Sequence, residues 1–397
     1  MQLNFMEDFE MATAVKAKVS ERSEKSASGG IVLQVGALRD ALARVKLAAK
    51  RNAANPLSEC VWLEAVDGKL ELDCQSEFGI TTTVSVIKFE QLDCFVSAER
   101  LLGILKTLHA ASDVLLKLNG TSLKINCNHS EWILQTVGDP LDPVVKSPPQ
   151  KKLPLFGKFI GEHLVRMLHH VSFACEEHSN RYSLGGVFFE RTKNDIVIVA
   201  TDGYRVCAEV LDNDGGEVGI DCILPLNTVR VLSRVAGSGS VSMSVGPNRA
   251  VFVISHDDGE KTLVSSPILD GLFPEWRKTL PCAVVSSTTL SRDSFLSAVL
   301  QAAITTSEDS KAVTITVEGN TMVILSLAPE VGNSFVNVDV VSQGPCVTIK
   351  IDPSRVVDWL SSLDVASTVV IELCNEKTAM VLKSDTATCV VMPISKE

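Results

Sequence analysis

Apolar and polar positions along this chain alternate between two rhythms. Three short stretches, residues 97–105, 225–232 and 352–360, carry apolar side chains at helical spacing, and each opens on a cap-like residue. They recur about 128 residues apart, and each runs into an alternating strand, a turn and a second alternating strand. Those sequels are residues 113–127 around Asn119-Gly120, 240–254 around Gly246-Pro247-Asn248, and 368–382 around Asn375-Glu376. A period this long predicts triplicated domains, because the units of a solenoid are much shorter.

Each unit also has a front half of the same kind. Helices are expected over residues 38–50, 159–175 and 290–304, with Leu38, Leu42 and Val45, then Leu164, Leu168 and Val171, at helical spacing. Alternating strands follow at 61–73, 186–199 and 313–325, turning at Asp67-Gly68, Lys193-Asn194 and Glu318-Gly319. The pattern predicts an α+β fold of six helix-plus-antiparallel-sheet modules, two per domain. Proline-containing links at 138–143 and 270–276 place the domains at 31–150, 151–282 and 283–397. Residues 1–30 show no sustained period and read as a disordered extension. They lack the basic start and apolar core of a signal peptide.

At 397 residues and 45% apolar composition, three cores are affordable. No apolar run reaches membrane-spanning length, so a soluble, cytoplasmic protein is expected. The 11 cysteines are scattered singly without metal-site or redox spacing, and are expected to be buried and reduced; no metal and no cofactor is expected. A net charge of −11 argues against a nucleic-acid partner until its distribution is considered. The six helical windows 38–51, 97–111, 155–173, 226–236, 289–303 and 353–363 hold 13 basic residues against 5 acidic ones. The helices are therefore basic and everything else is acidic. A basic surface facing a duplex would hold phosphates without reading bases.

Catalytic patterns find little support. Asp202 sits in Thr-Asp-Gly, where a turn role is expected. His169 and His170 are adjacent and on a helix face different directions. The chain has no Walker loop, no G-x-G-x-x-G and no G-x-S-x-G elbow. Gly237-Ser238-Gly239 reads as a helix-ending turn.

Four motifs, in order on the triplicated frame, carry a resemblance. They are residues 180–187 (NRYSLGGV), 200–206 (ATDGYRV), 269–277 (LDGLFPEWR) and 389–394 (CVVMPI). With them the chain, over about residues 31–397, resembles the beta subunit of bacterial DNA polymerase III, the beta sliding clamp. The resemblance implies three tandem clamp-type domains forming half of a closed ring, and a homodimer closing head to tail. It implies a processivity factor that encircles double-stranded DNA without sequence preference and is not itself an enzyme. DNA polymerase, clamp loader and repair proteins would bind through short peptide motifs. A repeat-built peptide-binding scaffold that encircles nothing is the alternative, and a hydrolase with an unrecognised site a distant third.

Carried over motif by motif, the resemblance implies a peptide slot of Leu184, Thr201, Gly203, Tyr204, Arg205 and Val206. To these it adds Pro274, Lys278 and Thr279 of the second link, and Asp352, Arg355, Met380, Val390, Val391, Met392, Pro393 and Ile394. For DNA it implies Arg51, Arg100, His178, Arg181 and Tyr182. For the dimer seam it implies Trp132 and Leu134 on one side and Ile304 and Thr305 on the other. Three departures stand out: the ending Ile394-Ser395-Lys396-Glu397, Arg355 where an aromatic residue is common, and Glu131 where a basic one is.

Overall fold

The computed structural model describes residues 30–50, 54–138, 153–176, 184–212, 220–281, 283–307 and 311–394. The 1–30 extension, apart from Gly30, lies outside them. So do Arg51, His178, Arg181 and Tyr182. The chain forms two compact units. One comprises residues 1–151 with 253–265, the other 152–252 with 266–397.

In the first unit, helix α1 (Val35–Val45) follows the strand Ile31–Gln34. It buries Leu38, Ala41, Leu42 and Val45, the stripe expected from their spacing. Helix α2 (Ala98–Lys106) starts after Ser97, whose hydroxyl accepts from the Arg100 amide. Among the described residues the strand Ser130–Gln135 pairs on one side only, with Ser122–Cys127, so it is a sheet edge. The Asp67-Gly68 turn joins Cys60–Val66 to Lys69–Gln75 with both residues at positive φ, the geometry of a tight hairpin. Residues Thr262–Ser265 extend this sheet by pairing with Gly79–Thr82.

The second unit holds helices α3 (Gly161–Val171), α4 (Leu226–Val235), α5 (Arg292–Ala303) and α6 (Pro353–Ser362). A nine-stranded sheet crosses it. Here the strand Ala387–Val391 lies between Arg205–Asp212 and Met380–Ser384. A four-stranded sheet ends on the edge strand Gly332–Asp339, which among the described residues pairs only with Thr321–Ala328.

Two expected helix starts are corrected. Phe159 and Ile160 belong to the strand Leu155–Ile160, which pairs with Ser240–Val245, and the helix begins only at Gly161. Leu290 likewise lies in the strand Ser286–Ser291, and the helix begins only at Arg292. Phe159, Ile160 and Leu290 are apolar enough to extend a helical pattern, but their ladder partners claim the backbone. The cap-like residues also differ: Asp352 accepts from the Ser354 amide, whereas Pro225 offers no side-chain cap. The cysteines are not all buried, since Cys346 is exposed and Cys175 and Cys374 are half-buried.

Candidate functional site

The Thr201–Arg205 turn is built from its own side chains. Gly203 has φ +86, and a Cβ there would meet nothing within 4 Å, so the backbone angle and not space demands glycine. Asp202 Oδ1 accepts from the amides of Tyr204 and Arg205, each at 2.9 Å. Thr201 Oγ1 accepts from the Gly203 amide at 3.0 Å and donates to the Arg205 carbonyl at 2.6 Å. The other oxygen of Asp202, Oδ2, lies 3.1 Å from Arg205 Nε and 3.0 Å from Arg355 Nη1. With both oxygens engaged, Asp202 is a joint between elements.

The two arginines then reach further. Arg205 Nη1 donates to Asp358 Oδ2 at 2.7 Å and to the Arg355 carbonyl, and its Nη2 to the Phe173 carbonyl. Arg355 Nε sits 3.3 Å from Asp352 Oδ2, and its guanidinium covers the Tyr204 ring. Burial alone would lower the Arg205 pKa; the hydrogen bond to Asp358 and the charge of Asp202 outweigh it and leave it raised. Five charged side chains thus tie the turn to α6. Asp358 and Phe173 belong to this network and were missed by sequence reasoning. Asp358 could have been found one helical turn after Arg355.

The strand Arg205–Asp212 pairs with the last strand in register, Arg205 opposite Val391 and Val206 opposite Val390. Met380 stands opposite Val391 on the other side. Pairing continues past the strand: the Met392 amide donates to the Tyr204 carbonyl and the Ile394 amide to the Lys350 carbonyl. Val206, Met380, Val390 and Val391 are buried and form a floor. Tyr204 at 62% exposure and Met392 at 42% stand above it, with Ile394 and Pro274 also exposed and Pro393 half-buried. Trp276 packs into the same core as Val206 and Val390, which brings the link to the floor. Thr279 Oγ1 closes the short helix Trp276–Thr279 on the Trp276 carbonyl, while Lys278 is exposed. Leu184 is buried, and its carbonyl accepts from the Glu176 amide.

The remaining expected residues fall elsewhere. Arg100 is exposed on α2 and lines a cavity of about 320 Å³ with Leu134. Trp132 and Leu134 are half-buried on the edge strand Ser130–Gln135, and the exposed residue between them is Ile133. Ile304, at 77% exposure, follows α5; half-buried Thr305 donates to the Ala302 carbonyl. Phe335, 66% exposed on the edge strand Gly332–Asp339, was missed. Its signal was an aromatic on the otherwise polar face of an alternating strand.

The basic charge of the helices is uneven once its partners are seen. On and just after α1, Arg39, Arg44, Lys46 and Lys50 meet Asp40, Glu260, Glu99 and Glu77. On α5, Arg292 is held by Asp293 and the Leu360 carbonyl. By contrast, Arg100, Arg166 and Arg234 are exposed and, among the described residues, outside any ion pair.

No three metal-ligating side chains converge among the described residues, and no described helix is long and apolar enough to cross a membrane. Residues 160–275 match the family model of the DNA polymerase III beta subunit, central domain. A beta sliding clamp of Salmonella typhimurium is 25% identical over 350 residues, covering 85% of this chain and 92% of the relative. One from Caulobacter vibrioides is 25% identical over 325 residues, covering 78% and 84%. The chain is similar to the bacterial beta sliding clamps. Among solved structures, a DNA polymerase sliding clamp from Pseudomonas aeruginosa superposes with TM-score 0.84 at 21% identity, covering 93% of this chain and 100% of that one. The DNA polymerase III beta subunit of Thermotoga maritima gives 0.82 at 19% identity with the same coverage. The α+β architecture is therefore that of the clamp fold.

Proposed function

We propose that the chain is a DNA sliding clamp, an accessory and non-catalytic replication subunit. Two copies close head to tail into a ring around duplex DNA and tether the replicative polymerase. The observation that carries this reading is the length of the kinship: it spans 350 residues of this chain and 92% of a clamp relative, not one shared module. The three-domain division at about 150 and 282 belongs to the same proposal.

Three features support the parts. The edge strand with Ile133 and the edge strand with Phe335 each offer an open row of backbone groups beside one exposed apolar side chain, as a seam between two copies needs. Tyr204, Met392 and Ile394 over a buried aliphatic floor offer pockets for apolar anchors of a short peptide, and a methionine adapts to several of them. Exposed Arg100, Arg166 and Arg234 suit phosphates.

Retention on closed circular DNA, with release when that DNA is cut, tests the reading. A clamp is retained on the circle at salt that dissolves ordinary electrostatic binding. Equal loss from circle and line would instead favour the non-encircling peptide scaffold.

A further inference from the structure

We propose, independently of the clamp reading, that Cys207 and Cys389 form a disulfide when the chain folds in the presence of a disulfide oxidant, and that the finished fold then seals the bond from exchange. Both cysteines carry free thiols in this structure, and their sulfurs lie 3.1 Å apart. They stand directly opposite on the antiparallel strands Arg205–Asp212 and Ala387–Val391, wholly buried in the second unit.

The ladder gives them the geometry a cross-strand bond needs. The Met392 amide donates to the Tyr204 carbonyl and the Val210 amide to the Thr386 carbonyl, so both of these are hydrogen-bonded pairs. Pairs alternate in kind along an antiparallel ladder, and counting inward from either end makes Cys207 and Cys389 a non-hydrogen-bonded pair. The Cα atoms of such a pair are about 4.5 Å apart, inside the range of about 4.4–6.8 Å that disulfides span. From contact to bond the two sulfurs approach by about 1 Å, a change that side-chain torsions absorb while the ladder stays intact.

The surroundings decide when the bond forms. The strand Ala387–Val391 has neighbours on both edges, with Cys389 opposite Leu382 on the far side. Side chains alternate along a strand, so Cys207 shares its face with Arg205 and Glu209. Arg205 Nη2 donates to the Phe173 carbonyl, and Glu209 Oε2 lies 3.0 Å from His170 Nδ1, so α3 and the turn after it close over that face. An oxidant the size of glutathione disulfide reaches neither sulfur in the finished fold; before the strands are covered it reaches both. One cysteine thiolate attacks glutathione disulfide, forming a mixed disulfide and releasing one glutathione thiolate. The second cysteine loses its proton to solvent and attacks the mixed disulfide, giving the Cys207–Cys389 bond and a second glutathione. Two protons and two electrons leave the cysteine pair, and one glutathione disulfide is reduced to two glutathiones. Folding under reducing conditions leaves the dithiol. Folding under oxidising ones leaves a staple across 182 residues of chain, fixing the last strand in its sheet.

The test compares full-length protein made in cells with a reducing cytosol, protein made in cells whose disulfide-reducing enzymes are disabled, and reduced, denatured chain refolded with glutathione disulfide. Free thiols are alkylated in denaturant, and bonds are mapped by mass spectrometry of unreduced peptides. The Cys207–Cys389 bond is expected in the second and third preparations, and absent from the first and from Cys207→Ala. The map names both partners of the bond, so the result does not depend on how well that variant folds. Native dithiol protein held with glutathione disulfide should gain glutathione on exposed Cys346 while Cys207 and Cys389 stay free. The stapled form should melt roughly 5 °C above the dithiol form. It should also resist, while native, a reductant that opens the bond at once in denaturant. Cys207 and Cys389 found free after folding under oxidising conditions, or joined to other cysteines, would overturn the proposal. Bond formation in the native dithiol protein as fast as Cys346 is modified would overturn the sealing by the fold.

Discussion

The guanidinium of Arg355 lies 4.3 Å from the centroid of the Tyr204 ring, gripped on its other edges by Asp202 and Asp352. The contact unites a turn of one strand pair with a helix more than a hundred residues later. It makes one wall of the proposed slot a charged, stacked surface. Arg355→Ala should cost about 1–2 kcal/mol of stability through the lost, largely buried pairing with Asp202. Arg355→Lys should recover little of it, because an ammonium cannot make both ion contacts and the stack. Chemical denaturation of the three proteins reads this directly; equal stability of the lysine and arginine forms would contradict it.

Met392 and Leu184 should separate binding from folding. Met392 is exposed enough that Met392→Ala should lower affinity for a partner peptide with little change in melting temperature. Leu184 is buried, so Leu184→Ala should destabilise by about 2–3 kcal/mol as well as weaken the slot. The double variant should still assemble as the wild type does. Peptide anisotropy beside thermal melts distinguishes these outcomes, and unchanged affinity in the double variant refutes the placement of the slot.

The seam prediction rests on Ile304 and Phe335. Replacing either with aspartate puts a carboxylate on an apolar edge, and the two-chain species should fall to one chain at the same protein concentration. Light scattering after size exclusion measures it. A wild type that is already single-chain at high concentration would refute the seam.

The pH response of the first unit should be traceable to His256. Burial, then the nearby Arg44, lowers its pKa, while its Nε2 lies 2.9 Å from Thr262 Oγ1. A depressed histidine binds its proton more readily in the unfolded chain, so stability is full above the ordinary histidine pKa and declines as pH falls through it. Glu260 runs the other way: burial, then Asp258, raises its pKa, and stability falls as pH rises from the ordinary glutamate value to that raised one. Between about pH 7 and 5.5 the histidine should dominate, and His256→Asn should flatten the decline in melting temperature. An identical decline in the variant would show that another group is responsible.

Cysteine labelling should report the packing. Burial holds the thiols of Cys74, Cys94 and Cys222 up to about 12 and, with Glu59, that of Cys60 up to about 11. Cys207 is raised well above the ordinary thiol value by burial and by its neighbour Cys389. At about pH 7.5 an aromatic disulfide reagent should react fast with exposed Cys346 and leave these five until the chain unfolds. Mass spectrometry after short labelling locates the modified residues, and early labelling of Cys74 or Cys94 would contradict the packing.

Much of the architecture was legible because it is local. Ser97 and Asp352 announced their helices through hydroxyl and carboxylate caps, and Asp67-Gly68 its hairpin through residues that tolerate positive φ. What stayed hidden depends on partners far along the chain. Arg44 counted as a cation of a basic helix, yet its partner Glu260 lies 216 residues away. Phe159 and Ile160 suited a helix until the strand Ser240–Val245 claimed them. The residue set of the slot came from motif likeness, whereas its charged wall emerged only when Asp202, Arg355 and Asp358 were seen around one guanidinium.

Cys207 faces Cys389 across paired strands although 182 residues separate them. Contacts of such long sequence separation close late and slowly in folding. The floor beneath Tyr204 and Met392 is made of that same pairing, so a half-finished molecule would lack the proposed docking surface. On the proposed reading, recognition would double as an inspection step, admitting only polypeptides whose most distant pieces have already met.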